Sequence, residues 1–325
     1  MIVAPRVAVA LMTMLAATAA GEAQAQGPSA TAGRVLEGEH RGPAGARRYE
    51  LYVPAGAAHG RPLVVMLHGC TQTAADFARG TRMNALADPA GALVLYPEQP
   101  ASANPQRCWN WYDPAHQGRD AGEPAILAAM TREIVNAHGV DPRRVYVAGV
   151  SAGGAMALTL AANFPELYAA AGVHSGVPFG AARDVAGALL AMRQGVGGDA
   201  AAVVRAMGDR RRTVPLLVLH GDADAVVSPV NARAITAQWG AATIPDGLAS
   251  YEFEAVVARD TAGRNVRVSR FGAARPAPVE EWLIAGLGHA WSGGSAEGTF
   301  TDPRGPDAST ELLRFLLAHP MPEGR

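Results

Sequence analysis

The chain has 325 residues, of which 49% are hydrophobic and 18% are charged, and its formal net charge is −1. This composition provides for a sizeable buried core and excludes a largely disordered chain. The near-neutral charge, with no basic stripe, argues against nucleic acid as a partner. The length fits one large α/β domain or two small domains.

The first 25 residues are typical of a secretory signal peptide. Arg6 provides a positive n-region, residues 7–20 form an apolar run, and Ala23-Gln24-Ala25 matches an A-x-A cleavage site. The apolar run is shorter than the ~20 residues that span a membrane, and no cysteine follows the cleavage site, so we expect no membrane anchor. The sequence therefore predicts a secreted protein, periplasmic or extracellular, with residues 26–325 as a single domain. It leaves the oligomeric state open.

After a lead-in that contains glycine and proline, apolar runs alternate with helical patterns. The predicted strands are residues 47–53, 63–67, 92–96, 144–148, 168–174, 214–220 and 280–285. The predicted helices are residues 73–87, 122–137, 151–163 and about 229–239, with a last helix that starts near Asp307 and Ser309. Residues 251–257 and 266–271 fit an excursion or hairpin.

Continuous apolar strands that alternate with helices predict an α/β fold, with a mostly parallel sheet and helices on both faces. Active sites in such sheets lie at the carboxyl ends of the strands. The chemistry is therefore expected just after Leu67, Ala148, His220 and Ala285.

Ser151 is the candidate nucleophile. Residues 149–153 read Gly-Val-Ser-Ala-Gly and fit G-x-S-x-G, between a predicted strand and an alanine-rich predicted helix. This strand–turn–helix context is the one that a nucleophile elbow requires, because the glycines remove bulk around the serine in a tight turn. The turn also places the hydroxyl at a helix N-terminus, where the dipole favours negative charge.

The order Ser, then acid, then His that goes with this elbow leaves few candidates for the base and the acid. Of the histidines, only His289 and His319 follow the serine and the candidate acids. His319 lies in the tail and is expected to be exposed, so His289 is the predicted base. Asp222 and Asp224 both follow the strand that precedes it, and the residues alone give Asp224 only a modest advantage.

The two donors of an oxyanion hole are predicted next. One is the backbone N–H of Ala152, directly after the nucleophile. The other lies in residues 68–72, where Gly69 allows close approach and the N–H of Cys70 is the expected donor. Cys70 and Cys108 are the only cysteines, and in an oxidising compartment one disulfide is the default, with two free thiols as the alternative. A bridge would fix this loop against residues 107–112.

With these motifs, the chain resembles the esterase family of polyhydroxybutyrate depolymerases, which is related to feruloyl and acetyl xylan esterases. The matching stretches include LHGCTQTAADFA (67–78), NPQRCWNWYDP (104–114), RVYVAGVSAGGAMA (144–157), LHGDADAVVSPVNA (219–232) and GLGHAWSGG (286–294). The resemblance implies an α/β-hydrolase fold and the triad Ser151, Asp224 and His289. It thereby selects Asp224 over Asp222.

The resemblance implies a secreted serine esterase that hydrolyses 3-hydroxybutyrate polymer or oligomers through an acyl-enzyme. The chain is expected to depart from the family in one respect, because secreted depolymerases that act on crystalline polymer usually carry a linker and a separate polymer-binding domain, and we expect none here. A feruloyl or acetyl xylan type of carbohydrate esterase is the alternative, and a non-catalytic binding protein is a third. Trp109, Trp111 and Trp291 lie in loops at strand ends and are predicted to contact an extended ester chain. No cofactor is expected, since neither metal-ligand spacing nor a phosphate-binding loop is found in the sequence.

Overall fold

The computed structural model describes residues 33–56, 59–244, 256–259 and 264–323, together with Met1. The predicted signal peptide, apart from Met1, and residues 251–255 of a predicted strand lie outside the described residues. Residues Ala32–Arg325 form one compact unit.

Twelve strands and eight helices are found in the described residues. The strands are β1 (Arg34–Gly42), β2 (Gly45–Val53), β3 (Arg61–Leu67), β4 (Leu93–Pro97), β5 (Val140–Val150), β6 (Ala170–His174), β7 (Leu216–Gly221), β8 (Val256–Arg259), β9 (Asn265–Phe271), β10 (Val279–Ile284), β11 (Trp291–Ser292) and β12 (Thr301–Asp302). The helices are α1 (Ala74–Thr81), α2 (Met83–Ala90), α3 (Gly122–His138), α4 (Ala152–Asn163), α5 (Val185–Gln194), α6 (Ala200–Met207), α7 (Val230–Thr243) and α8 (Ala308–Leu317).

Ten of the strands form one sheet in the order β1-β2-β4-β3-β5-β6-β7-β10-β9-β8. The six strands from β4 to β10 in this order run parallel, while β2 and β9 pair antiparallel at the two sides. Because the parallel strands end at the same edge, the loops that follow them converge there. The predicted mostly parallel sheet is confirmed.

Strand β3 shows why the sheet must be covered on both faces. Leu63, Val65 and Leu67 belong to a core with residues of α3, α4, α6 and α7. Val64 and Met66 point to the opposite face, into a core with residues of α1, α2 and α8. All seven residues of β3 are buried, which is the burial pattern of a strand with helices on both faces.

Helix α4 lies unusually close to the sheet. All twelve of its residues are buried, as expected for a helix that is apolar on every side. The contact is closest at Gly153, where an added Cβ would lie 2.1 Å from the carbonyl oxygen of Leu67 and 2.5 Å from that of His68. Only glycine therefore lets the first turn of α4 pack against the end of β3.

Three parts of the sequence prediction were wrong. The lead-in forms β1, which pairs with β2 as an antiparallel hairpin. Helices α5 and α6 were not predicted, although Asp184 and Asp199 cap their N-termini by accepting hydrogen bonds from Gly187 N and Ala201 N. These short helices depend on packing and capping more than on a periodic pattern.

The predicted helix 73–87 is two helices, α1 and α2. Arg82 divides them with a left-handed backbone (φ 53°). Its guanidinium donates to Gly293 O at 2.7 Å and to Asp307 Oδ2 at 3.0 Å. Both partners are more than 200 positions from Arg82 in the sequence, so a local sequence pattern cannot indicate that the helix is divided there.

We expect Gly153→Ala to lower the free energy of unfolding by about 1–3 kcal/mol, because the added Cβ would overlap backbone oxygens that cannot move independently. Gly118→Ala is the matched control, since a Cβ at Gly118 would meet nothing within 4 Å. Denaturant unfolding of both variants measures the difference. Equal stability of the two variants would contradict the close approach of α4.

Candidate active site

The predicted site residues lie in loops that follow four of the parallel strands, β3, β5, β7 and β10, with β6 between β5 and β7. The loop after β3 contains Cys70, Ser151 directly follows β5, Asp224 follows β7 and His289 follows β10. The topology therefore brings residues 70, 151, 224 and 289 to one edge of the sheet, although up to 219 residues separate them in the chain.

Ser151 lies between the last residue of β5 and the first of α4, with φ 56° and ψ −122°. A non-glycine residue with this backbone is uncommon and strained. Its N–H donates to His174 O at 2.9 Å, which ties the turn to β6. Gly149 permits the turn, since a Cβ there would lie 2.4 Å from Gly153 C. The geometry is that of a nucleophile elbow.

Asp224 and His289 form a hydrogen-bonded pair. His289 Nδ1 lies 2.7 Å from Asp224 Oδ2, while Asp224 Oδ1 accepts from Val226 N at 3.0 Å and Val227 N at 2.8 Å. Burial by itself would raise the pKa of the Asp224 carboxyl, but the hydrogen bonds from His220 and His289 outweigh it and hold this pKa well below its usual range. The carboxylate is therefore charged and oriented towards the imidazole.

The competing residues have other contacts. Asp222 is exposed and accepts from Gly286 N at 2.6 Å, so it stabilises the turn that precedes His289. His319 is buried, and its Nδ1 donates to Phe315 O at 2.8 Å within the end of α8. The expectation that His319 is exposed was wrong, because its ring packs against Phe315 with ring centroids 4.3 Å apart.

Ser151 and His289 line the same cavity of about 200 Å³. Within the described part of the chain, the Ser151 hydroxyl makes no hydrogen bond to another residue. His289 Nδ1 is occupied by Asp224, so Nε2 is the ring nitrogen that remains available to take a proton.

Cys70 and Ala152 line one cavity together with Ser151. Neither of their backbone amides donates a hydrogen bond to another described residue, whereas the neighbouring Thr71 N donates to Gln106 O at 2.6 Å. Two free amides beside a nucleophile are what an oxyanion hole requires.

The loop of residues 68–72, here called the β3 loop, is fixed by its side chains. Gln72 Oε1 accepts from Gly69 N at 2.9 Å, and His68 Nδ1 donates to Gly69 O at 2.7 Å. His68 Nε2 accepts from Gln99 N at 3.1 Å, so the imidazole is neutral. Burial lowers the pKa of His68 to about 4. The loop is therefore ordered before any substrate arrives.

The predicted disulfide between Cys70 and Cys108 is confirmed. It joins the β3 loop to residues 104–112, here called the aromatic loop, across 38 positions of sequence. Both cysteines line the cavity next to Ser151. The bridge therefore lies in the wall of the site, beside the free amide of Cys70.

The larger of the two cavities at Ser151 has a volume of about 280 Å³. Its apolar lining comes from the aromatic loop and from α5, and none of the residues around either cavity is Asp, Glu, Lys or Arg. Its apolar side chains include Trp111, Tyr112, Val185, Leu189 and Met192. Such a site suits a neutral, partly apolar ligand.

The tryptophan predictions need correction. Trp109 is 0% exposed and donates from Nε1 to His68 O at 3.1 Å, so it supports the β3 loop from beneath. Trp291 is 1% exposed and donates to Ser309 Oγ at 3.0 Å. Neither lines the cavities at Ser151. Trp111 does line the larger cavity, with Tyr112, which was not among the predicted residues.

Two buried histidines near the acid were also missed. His220 Nε2 lies 2.9 Å from Val227 O and 3.4 Å from Asp224 Oδ2, while its buried Nδ1 has no partner. His174 Nε2 accepts from Ser292 N at 3.3 Å, and burial, together with His220 and His289, lowers the pKa of His174 to about 3. His220 stands at the start of the Gly-Asp-Ala-Asp turn, which was the available signal.

Within the described ranges, no group of three or more His, Cys, Asp or Glu residues is arranged to hold a metal ion. No helix among these residues is long and apolar enough to cross a membrane.

Comparison with known proteins gives consistent relatives. A family model described as "Esterase PHB depolymerase" matches residues 47–244. The poly(3-hydroxyalkanoate) depolymerase C of Paucimonas lemoignei is 32% identical over 251 residues, which cover 73% of this chain and 57% of that protein. The feruloyl esterase B of Neurospora crassa is 37% identical over 131 residues, which cover 40% of this chain and 44% of that protein. The chain thus spans about half the length of these curated relatives.

Among solved structures, the acetyl xylan esterase from Aspergillus awamori is similar, with a TM-score of 0.68 and 25% identity. The match covers 79% of this chain and 94% of that structure. Together with the parallel sheet described above, this likeness confirms the α/β-hydrolase fold predicted from the sequence.

The depressed pKa of His68 has a consequence for stability in acid. The folded protein binds the His68 proton only near pH 4, whereas the unfolded chain binds it near pH 6.5. Stability is therefore present above pH 6.5 and is lost as the pH falls from 6.5 towards 4, by up to about 3 kcal/mol for this group. His174 contributes with the same sign.

We expect His68→Gln to reduce this acid-induced loss by about 2 kcal/mol between pH 7 and pH 4.5, whatever its effect at pH 7. Urea unfolding of the wild type and the variant at both pH values measures the two losses. Equal losses would mean that His68 is not held neutral by the fold.

We expect removal of the disulfide, by Cys70→Ala with Cys108→Ala, to lower stability by up to about 4 kcal/mol, since a 38-residue loop is no longer closed in the unfolded chain. Turnover of any ester substrate should fall as well, because the amide of Cys70 loses its tether. Thermal unfolding and kcat are measured for the variant and for the wild type reduced with dithiothreitol. An unchanged Tm in both cases would contradict a structural role of the bridge.

Proposed function

This chain belongs to the esterase family of PHB depolymerases, and from that premise we propose that it is a secreted serine esterase. Its substrates would be the ester bonds of 3-hydroxybutyrate polymer or oligomers, and its catalytic residues would lie in one domain, residues 26–325. The observation that carries the proposal is the position of Ser151. It occupies a strained turn in the same uncharged cavity as two unpartnered backbone amides.

The first step is attack by Ser151 on the ester carbonyl. His289 takes the hydroxyl proton at Nε2, and Asp224 holds the imidazole through Nδ1 and stabilises its charged form. The new bond joins Ser151 Oγ to the acyl carbon, and the alcohol leaves with the proton from His289. Water then attacks the acyl-enzyme by the same route and releases the acid.

The charge that develops on the carbonyl oxygen is met by the N–H groups of Ala152 and Cys70. Both stand free in the cavity, and the N-terminus of α4 adds its dipole at the same point. The β3 loop is held by side-chain hydrogen bonds and the disulfide, so the donors need little reorganisation during the reaction.

The uncharged lining supports an ester whose acyl group carries no charge. The cavity offers apolar surface to methyl and methylene groups, provided by Trp111, Tyr112, Val177, Leu189 and Met192. A polyester of short hydroxy acids is neutral along its whole length and fits this lining. Proteins that bind charged acids place Arg or Lys at such positions, and no residue of either type lines these cavities.

A carbohydrate esterase that releases ferulate or acetate is the second candidate. The likeness to a feruloyl esterase and to an acetyl xylan esterase favours it. Trp111 and Tyr112 also form a perpendicular aromatic pair with ring centroids 5.6 Å apart, which would accept an aromatic acyl group. The chemistry at Ser151 is the same for both candidates, so only substrates distinguish them.

Secretion is supported by the signal-peptide pattern of residues 1–25 and by the disulfide, which persists in oxidising compartments.

We expect the mature enzyme to release 3-hydroxybutyrate from its soluble oligomers, and Ser151→Ala to lower kcat by about 10⁴-fold or more, because the nucleophile is lost. Product release is measured with oligomers, polyhydroxybutyrate film, methyl ferulate and acetylated xylan. Ser228→Ala serves as the control, since Ser228 precedes α7 and lines neither cavity.

Activity on methyl ferulate or acetylated xylan alone would move the proposal to the carbohydrate esters. Wild-type activity in Ser151→Ala would overturn the assignment of the nucleophile.

A further inference from the structure

The exposed large apolar side chains of this protein are concentrated around the entrance to the site. Apart from Met1, seven such side chains are found in the described residues. Six of them, here called the apolar rim, are Val185, Leu189, Leu190, Val226, Val230 and Phe300. The seventh, Val35, lies on the edge strand β1.

The rim surrounds the nucleophile. Val185 and Leu189 line the larger cavity, and Val226 and Phe300 line the smaller one. Leu190 is the next residue of α5 after Leu189. Single exposed apolar residues are normal on a protein surface, but a group of them around one opening marks an interaction site.

Helix α5 has the reverse of the usual amphipathic pattern. Its buried positions are the small residues Ala188 and Ala191, whereas Val185, Leu189 and Leu190 are exposed. A surface helix normally buries its larger apolar residues and exposes polar ones. The outward face of α5 therefore carries three large apolar side chains, while its exposed polar residues Arg193 and Gln194 lie together at its end.

Val230 continues this surface beyond the end of α5. A Cβ added at Gly195, which ends α5, would lie 2.9 Å from Val230 Cγ1. The first residue of α7 is thus packed directly beside the last turn of α5, and its side chain remains 58% exposed.

We propose that the apolar rim adsorbs the enzyme to the surface of a water-insoluble aliphatic polyester, so that a surface chain enters at Ser151. The proposal rests on the proposed function for the identity of the ester. The rim is continuous with two cavities whose linings include no Asp, Glu, Lys or Arg, and such a polyester is equally uncharged. A second copy of this chain fits less well, because a protein seated on the rim would close the entrance to the nucleophile.

The test separates adsorption from catalysis. Leu190→Ser with Val230→Ser removes two rim side chains that line neither cavity. Val35→Ser is the matched control, because Val35 is 51% exposed, close to the 50% of Leu190, and lies on a different part of the chain. Each change is made in the Ser151→Ala background, and the partition of protein between buffer and polyhydroxybutyrate film is measured, with cellulose as the hydrophilic surface.

We expect the rim pair to weaken adsorption to the polyester about tenfold, from the apolar area that it removes, while Val35→Ser leaves adsorption unchanged and cellulose binds none of the variants. With Ser151 restored, film hydrolysis should fall in parallel, while kcat/KM on a soluble 3-hydroxybutyrate trimer stays at the wild-type value.

Adsorption that is unchanged in the rim pair, or reduced equally in Val35→Ser, would overturn the proposal. A wild type that sediments as a dimer, with the rim pair monomeric, would also overturn it and make the rim a contact between copies. Rim-dependent adsorption without hydrolysis of the trimer or the film would leave the rim standing and reject the proposed function instead. Hydrolysis of the trimer, together with adsorption that does not depend on the rim, would reject the role of the rim and leave the proposed function supported.

Discussion

One buried carboxylate, Glu123 at the start of α3, connects the two loops that the disulfide joins beside Ser151. It accepts from the backbone N and the side-chain Nδ2 of Asn110, each at 2.7 Å, and from the Gln99 amide. Arg47, 3.5 Å away, supplies the positive charge that such burial requires. Gln99 then donates its backbone N–H to His68. The aromatic loop and, through Gln99, the β3 loop are therefore both anchored to the carboxylate of Glu123. The free amide of Cys70 in the β3 loop is thereby held in a fixed position relative to Ser151.

Strain in the backbone is concentrated at the same place. Six non-glycine residues of the described ranges have positive φ, and Arg82 is the one away from the site. Ser151, Ser175, Thr71 and Phe300 line the two cavities, while Arg107 precedes the bridged cysteine of the aromatic loop. Such conformations persist only where surrounding contacts hold them. Backbone hydrogen bonds to His174, Leu219 and Trp291 hold Ser151, Ser175 and Phe300. Thr71 and Arg107 are held by backbone hydrogen bonds to the aromatic loop and by the disulfide beside them.

Sequence reasoning succeeded where the signal is local. The apolar strands and the elbow around Ser151 each depend on residues within one stretch of chain. It failed where contacts with residues distant in the sequence determine the position of a side chain. Nothing near Trp109 or Trp291 indicates that one lies beneath the β3 loop and the other against α8. The choice of Asp224 over Asp222 came from the family resemblance, because the two differ by two positions and their separate partners, His289 and Gly286, are tertiary contacts. The exposed apolar face of α5 likewise can be related to ligand binding only when the position of the cavity beside it is known.

The two walls of the larger cavity are built differently. The aromatic loop is held by a buried charge and a disulfide, and the β3 loop shares both ties. Helix α5 also lines this cavity, and the residues that it buries are the small Ala188 and Ala191. Changes to the larger, outward residues of α5 therefore alter the surface that meets a substrate without disturbing the amides beside Ser151. Contacts with an extended ligand can therefore change on α5, while the aromatic loop and the β3 loop keep the geometry beside Ser151. Because binding surface and reaction geometry can vary independently, one fold can accommodate different esters.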